Sequence, residues 1–243
     1  MRLLIVRHAD PDYEKDSLTE KGWKEAQLLS KRLIKEEITE IYVSPLGRAK
    51  DTASLTLEKL GREAVVYDWL QEFPARINRP DVKDRKMIAW DWLPEDWMRE
   101  PKFFSAEHWS EQENMREGKA GELYREVTEG FDTLLKTQGY VRDGLYYRAV
   151  RPNRRTLLFF CHFGLECVLL SHLLNVSPMI FWHQLCAAPS SVTTVYSEER
   201  REGKAIFRVS SFGDLSHLYA AGETPSDSAR FCETFDCPYE RHD

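Results

Sequence analysis

Short apolar runs alternate with longer stretches of helical periodicity along this chain of 243 residues. Leu3 to Val6 are four consecutive apolar residues, too few for a buried helix, and their β-branched content predicts a strand covered on both faces, as in the centre of a parallel sheet. Ile41-Tyr42-Val43 and Val65-Val66-Tyr67 predict two more short strands, and the run from Arg155 to Phe160 predicts another core strand. Between them Gly22, Ala26, Leu29 and Leu33 recur at one-face helical spacing, behind a start marked by Ser17 with Glu20 or by Thr19 as N-cap. Ser44-Pro45 signals a further helix start, with Ser as N-cap and Pro in the first position. Leu123, Val127, Phe131, Leu134 and Leu135 line one face of a helix over 122–137, and 164–174 continues as an apolar helix. Ser190 to Tyr196 and Ala205 to Ser211 predict an edge hairpin that turns over Glu198 to Gly203.

Two of the apolar runs end in chemistry. Arg7 and His8 follow the first strand, where open α/β sheets place their ligand crevices. His162 ends the 155–160 run and opens into a helix. Two strands ending in histidine at one sheet edge put two imidazoles in one pocket, and the adjacent guanidinium adds a donor for a phosphoryl group. Arg48, in the first turn of the helix after Ser44-Pro45, combines a guanidinium with a helix N-terminus, a pairing suited to an anion.

Taken in order, Arg7-His8, Leu18-Thr19-Glu20-Lys21-Gly22, Ser44-Pro45-Leu46-Gly47-Arg48-Ala49 with Thr52-Ala53, Glu72 and His162 resemble the histidine phosphatase superfamily in its phosphoglycerate mutase-like branch. The resemblance reaches from residue 1 to about residue 217. It implies an α/β fold, a three-layer α/β/α sandwich with a mostly parallel central sheet and a helical insertion over its C-terminal edge. It also implies His8 as nucleophile, with Arg7, Arg48 and His162 holding the phosphoryl oxygens and Glu72 donating the proton. Asp68 competes with Glu72 for that last role. Neutral imidazole suits attack on a doubly charged phosphate monoester, provided its other ring nitrogen donates to a backbone carbonyl.

The sequence departs from the resemblance at Ala9-Asp10, where relatives commonly carry Gly-Glu or Gly-Gln. A carboxylate at Asp10 would repel phosphate unless turned away or hydrogen-bonded, so Asp10 is a candidate either for substrate contact or for capping its loop. Phe163 stands where relatives often have Gly, and offers an apolar wall for a leaving group. His217, in Gly213 to Leu218, either approaches the pocket or bonds to its loop. Residues 75–118 contain Arg76, Arg79 and tryptophans at 90, 92, 97 and 109. The resemblance makes them a substrate-pocket cap carrying Arg76 and Arg79 as candidate substrate contacts; the alternative is a small satellite core.

The remaining features set bounds. A hydrophobic content of 42% and a charged content of 30% fit one globular domain over 1–243, with 222–243 a polar tail. The net charge of −6 and the lack of an extended basic track argue against nucleic acid as a partner. A few local arginines still suffice for a phosphate ester. No stretch has the composition of a signal or a membrane span, so the expected setting is cytoplasmic, away from membranes. The 5 cysteines, an odd number, fit reduced thiols; Cys161 and Cys167 read as core, and Cys232 and Cys237 lack a second pair to complete a metal site. The expected activity is metal- and cofactor-independent hydrolysis of a small phosphorylated metabolite through phosphohistidine, in a chain that could form a homodimer. The alternatives are mutase-type phosphoryl transfer, a non-catalytic phospho-ligand or protein-binding module, and a two-histidine metal hydrolase.

Overall fold

The computed structural model describes residues 1–228 and 230–241. The first apolar run forms β1 (Arg2–Arg7), followed by α1 (Glu20–Leu33), β2 (Glu40–Val43), α2 (Gly47–Leu60) and the short β3 (Val65–Val66). After the insertion come α3 (Ala120–Thr137), β4 (Tyr140–Asp143), β5 (Tyr146–Ala149), β6 (Thr156–Cys161) and α4 (Phe163–Leu174). The last large elements are α5 (Pro178–Gln184), β7 (Val192–Arg201) and β8 (Lys204–Asp214). The strands pair in the order β3-β2-β6-β1-β7-β8-β5-β4. From β3 to β1 every pairing is parallel and from β1 to β4 every pairing is antiparallel, so only β7 and β5 run against the rest. This is the expected α/β class.

Alternation of apolar residues across the sheet explains the layers. Leu3, Ile5, Leu157 and Phe159 point into one cluster with Phe131 of α3 and Leu165 of α4, while Leu4, Val6, Leu158 and Phe160 point into the other, with Leu29 and Leu33 of α1 and Ala49 and Ala53 of α2. Continuous apolar runs are required because helices cover both faces. Each fully buried large side chain contributes about 1.5–3 kcal/mol. In the parallel β1–β6 register Arg7 lies opposite Cys161, so His8 and His162 leave neighbouring strands at the same level.

Several local expectations change. Thr19, not Ser17, caps α1 by accepting from the Gly22 amide. The helix after Ser44-Pro45 starts later than expected, at Gly47 with Leu46 as N-cap, because the Ser44 hydroxyl is turned to His162 and to the Leu46 amide. The hairpin expected at the sheet's edge is longer on both strands, turns at Glu202-Gly203 and lies inside the sheet, because β5 pairs with β8 and carries β4 to the edge. Residues 140–149, read as loop, form the β4–β5 hairpin, and α5 has no counterpart in the sequence reading. The tryptophans at 92, 97 and 109 do not build a satellite core. They join the main cluster, with Trp109 edge-on to Trp182 of α5 and Trp92 edge-on to Phe103. The expected polar tail at 222–243 includes residues 229, 242 and 243, which lie outside the described residues. Among the described residues no helix is long and apolar enough to cross a membrane.

The loop leaving β1 is fixed by α1. The Asp10 carbonyl accepts from the Thr19 amide at 3.1 Å, and a Cβ added to Gly22 would stand 2.2 Å from that oxygen. Gly22→Ala therefore destabilises the protein by about 1–3 kcal/mol through overpacking, although alanine is favoured over glycine in a helix interior by about 1 kcal/mol. The urea midpoint measures this, and an unchanged or raised midpoint would show that the loop yields freely.

Candidate active site

His8 is buried just past the end of β1 and its backbone is held on both sides. Its amide donates to the Cys161 carbonyl (2.9 Å) and its carbonyl accepts from the Ser190 amide (3.0 Å). The next amide, of Ala9, donates to the Thr52 hydroxyl of α2 at 2.9 Å. The His8 Nδ1 lies 2.8 Å from the Ala9 carbonyl oxygen. A carbonyl only accepts, so Nδ1 carries the proton and the Nε2 of the neutral ring holds the lone pair. His162 sits at the N-cap of α4, its ring centroid 5.1 Å from that of His8, with its Nε2 2.7 Å from the Ser44 hydroxyl. Its Nδ1 is buried without a protein partner.

Two guanidiniums adjoin these rings. Arg7 donates from Nη1 to the Ala187 carbonyl at 2.6 Å, and Arg48 donates from Nη1 to Asp16 Oδ1 at 2.6 Å. The Nε of each is buried with no protein acceptor. Burial, reinforced for His8 by the charge on Arg7, pushes both imidazoles well below the usual histidine value. Glu72 accepts through Oε1 from the Phe73 amide (2.9 Å) and the Leu165 amide (3.1 Å). Burial raises its carboxyl above the ordinary value, and these amides with Arg7 and Arg48 offset part of the rise. The arrangement sets a buried imidazole with a free Nε2 beside two guanidiniums and a buried carboxyl, groups that suit nucleophilic attack, anion binding and proton transfer.

Residues 3–208 match the family model described as histidine phosphatase superfamily (branch 1). The chain belongs to that superfamily. Phosphoserine phosphatase 1 of Hydrogenobacter thermophilus is 25% identical over 210 residues, which is 83% of this chain and 89% of the relative. A second protein of that bacterium is 35% identical over 80 residues; this is 29% of the present chain and 39% of the relative, so the match spans about two fifths of that protein's length. Among solved structures, a phosphoserine phosphatase variant from Entamoeba histolytica in complex with phosphoserine superposes with a TM-score of 0.56 at 17% identity, covering 89% of this chain and 98% of that one. A mycobacterial glucosyl-3-phosphoglycerate phosphatase gives 0.55 at 19% identity, covering 87% and 98%. These two share the fold.

In this histidine phosphatase, a hydrolase of phosphoric monoesters, the structure brings together Arg7, His8, Arg48, Glu72, Phe163 and His162. The other sequence candidates are placed differently. The Asp10 carboxylate is turned to hydroxyls, accepting from Thr19 at 2.6 Å and from Ser226 of the C-terminal segment, so the loop-capping alternative describes its contacts. Arg79 is buried, its guanidinium engaged by Asp81 (2.7 and 2.9 Å) and by the Asp91 carbonyl (3.1 Å), which makes it a tie within the insertion. Arg76 lines a surface cleft with Lys86, Lys119, Glu117, Glu122 and Glu126. His217 bonds to the 187–190 loop and not to its own, with Nε2 3.2 Å from the Ser190 hydroxyl, and burial lowers its pKa to about 4. Asp68 belongs to a short 3-10 turn and Glu72 alone reaches α4.

Sequence reasoning missed Ser44 as the partner of His162, Asp16 as that of Arg48, and the 187–190 loop that holds Arg7 and His8. The signals were thin: each is a single polar or small residue in a loop, paired across more than thirty residues. Trp90 is the other omission as a site residue. An added Cβ at Gly164 would stand 2.7 Å from both Glu72 Oε1 and the Trp90 indole nitrogen. Gly164→Ala must therefore displace the carboxyl or the indole, and turnover falls roughly 10- to 100-fold with the fold retained. Steady-state kinetics with circular dichroism read this out; wild-type turnover would mean that Glu72 tolerates the shift.

Proposed function

We propose that this histidine phosphatase hydrolyses the phosphate monoester of a small molecule through a phosphohistidine on His8, without a metal ion. One observation carries the reading: the His8 Nδ1–H is committed to the Ala9 carbonyl, which leaves Nε2 as a fixed lone pair beside Arg7, Arg48 and His162. In the first step Nε2 attacks phosphorus, the P–O bond to the alcohol breaks, and Glu72 gives its proton to the departing oxygen. In the second step the Glu72 carboxylate takes a proton from water, the oxygen of that water attacks phosphorus, the N–P bond breaks, and inorganic phosphate leaves. The guanidiniums and His162 stabilise the transferring group, supplying the charge that a metal would otherwise provide. With the Ser44 hydroxyl donating to Nε2 of His162, the unpartnered Nδ1–H is left to bond a phosphoryl oxygen. The phosphoserine phosphatase named among the relatives supports hydrolysis over transfer.

Rapid quench with a ³²P-labelled ester is the direct test. The wild type accumulates acid-labile, alkali-stable label and turns over in EDTA; His8→Ala carries no label and loses roughly 10³-fold or more in rate. Label on a residue other than His8, or turnover abolished by EDTA, would overturn the reading.

The pH dependence follows from the two shifts. His8 must be neutral, and its lowered pKa carries activity to pH values below the ordinary histidine range. Glu72 must be protonated, and its raised pKa extends activity above the ordinary carboxyl range before deprotonation ends it. The kcat/KM profile is a bell whose alkaline limb belongs to Glu72. Glu72→Gln removes that limb and lowers kcat/KM by about 10²- to 10⁴-fold for alkyl esters, far less for p-nitrophenyl phosphate, whose leaving group needs no proton, while kcat falls for both because water loses its base. Retention of the alkaline limb in that variant would assign the acid elsewhere.

A further inference from the structure

The phosphate clamps carry aromatic rings. The Arg7 guanidinium carbon lies 5.8 Å from the centroid of Phe163, and that of Arg48 lies 5.4 Å from the centroid of Tyr13. Trp90 meets Phe163 edge-on, with centroids 6.1 Å apart and planes at 77°. The Trp90 indole nitrogen and Glu72 Oε1 converge on one point above Gly164. The acid that protonates the leaving oxygen therefore stands against Trp90 and Phe163, with Tyr13 on the Arg48 side. Tyr13 is 66% exposed, so a ring face is available to a bound group.

The charges on the surrounding loops point the same way. Lys15 pairs with Asp12 at 2.8 Å, Arg79 with Asp81 and Asp91, and Arg230 of the C-terminal segment with Glu233. The carboxylate of Asp16 stands beside Arg48 at the site, where a second anionic group on a substrate would be repelled.

We infer that the alcohol half of the substrate is an apolar, ring-bearing group, and that Tyr13, Phe163 and Trp90 select it over amino-acid or sugar-acid phosphates. The inference rests on the hydrolase reading and adds the substrate class. Ring stacking and edge contacts reward such a group. A carboxylate-bearing alcohol finds no comparable reward and meets Asp16.

The test compares 2-phenylethyl phosphate, ethyl phosphate, O-phosphoserine and 3-phosphoglycerate, all alkyl esters, so leaving-group basicity differs little among them. The wild type is expected to show kcat/KM for 2-phenylethyl phosphate about tenfold or more above the other three. Tyr13→Ala, on an exposed loop side chain that folding does not need, lowers that value about 3- to 10-fold through KM, with ethyl phosphate changed less than about twofold, and Phe163→Leu, which keeps an apolar residue beside Arg7, lowers the 2-phenylethyl value more than the ethyl value. A preference for either acidic ester, or equal losses on ethyl and 2-phenylethyl phosphate in both variants, overturns the inference while leaving hydrolysis intact. No turnover of any ester together with no phosphohistidine on His8 removes the hydrolase reading, and this inference with it.

Discussion

Two imidazoles with centroids 5.1 Å apart, buried beside two guanidiniums, can be accommodated only uncharged. A third and fourth positive charge in that space would face both desolvation and like-charge repulsion. Much of the site's geometry answers to this constraint. A neutral ring needs its tautomer fixed, and the Ala9 carbonyl fixes that of His8 while Ser44 engages His162. The guanidiniums need anchors that leave donors over, and each is held through one nitrogen, by a carbonyl or by a single carboxylate oxygen.

The fold supplies rigidity where the constraint is sharpest. Because Arg7 and Cys161 are registered partners in a parallel pair, the two histidines are placed by strand hydrogen bonds and not by loop packing. The loops do the finer work. Ser190, in a left-handed conformation with φ of 61°, directs its amide to the His8 carbonyl while its hydroxyl meets His217. His217 is thus linked to His8 through one residue of a neighbouring loop.

Legibility in the sequence followed locality. The strand before Arg7-His8 and the helix face of Leu123 to Leu135 could be read because their signals are periodic and contained within a few residues. Arg48 could be read because strand, turn and helix start are contiguous. The β4–β5 hairpin carried a fair signal in Asp143-Gly144, where Gly144 takes a φ of 61°, but its strands are only 4 residues each and alternate weakly. What stayed hidden depends on pairing over long separations. Arg79 is the exception: Asp81 stands two residues on, but that proximity does not by itself say that the guanidinium closes on Asp81 and Asp91 and not on a substrate. The partners of Asp10 lie 9 and 216 residues away. Loop residues that hold a site are chosen by geometry, and single polar residues leave no period to detect.

The same charge reasoning extends to the acids around the clamp. Asp16 is part-exposed, held below the ordinary carboxylate range by the Gly47 amide and Arg48 against its own partial burial, and so remains an anion that, on the proposed reading, a phosphate displaces from Arg48 or shares with it. Glu166 is its counterpart behind the site. Lying on α4 four residues past His162 and fully buried, it has its carboxyl pushed up to about 7 by burial, with the Thr193 side chain and Arg7 offsetting part of the rise. Near neutral pH it divides between a neutral acid, which leaves the charge on Arg7 to the phosphoryl group, and a carboxylate, which draws on it. The two guanidiniums thus face different acids: Asp16, an anion paired with Arg48, and Glu166, which gains its charge near Arg7 as the pH rises.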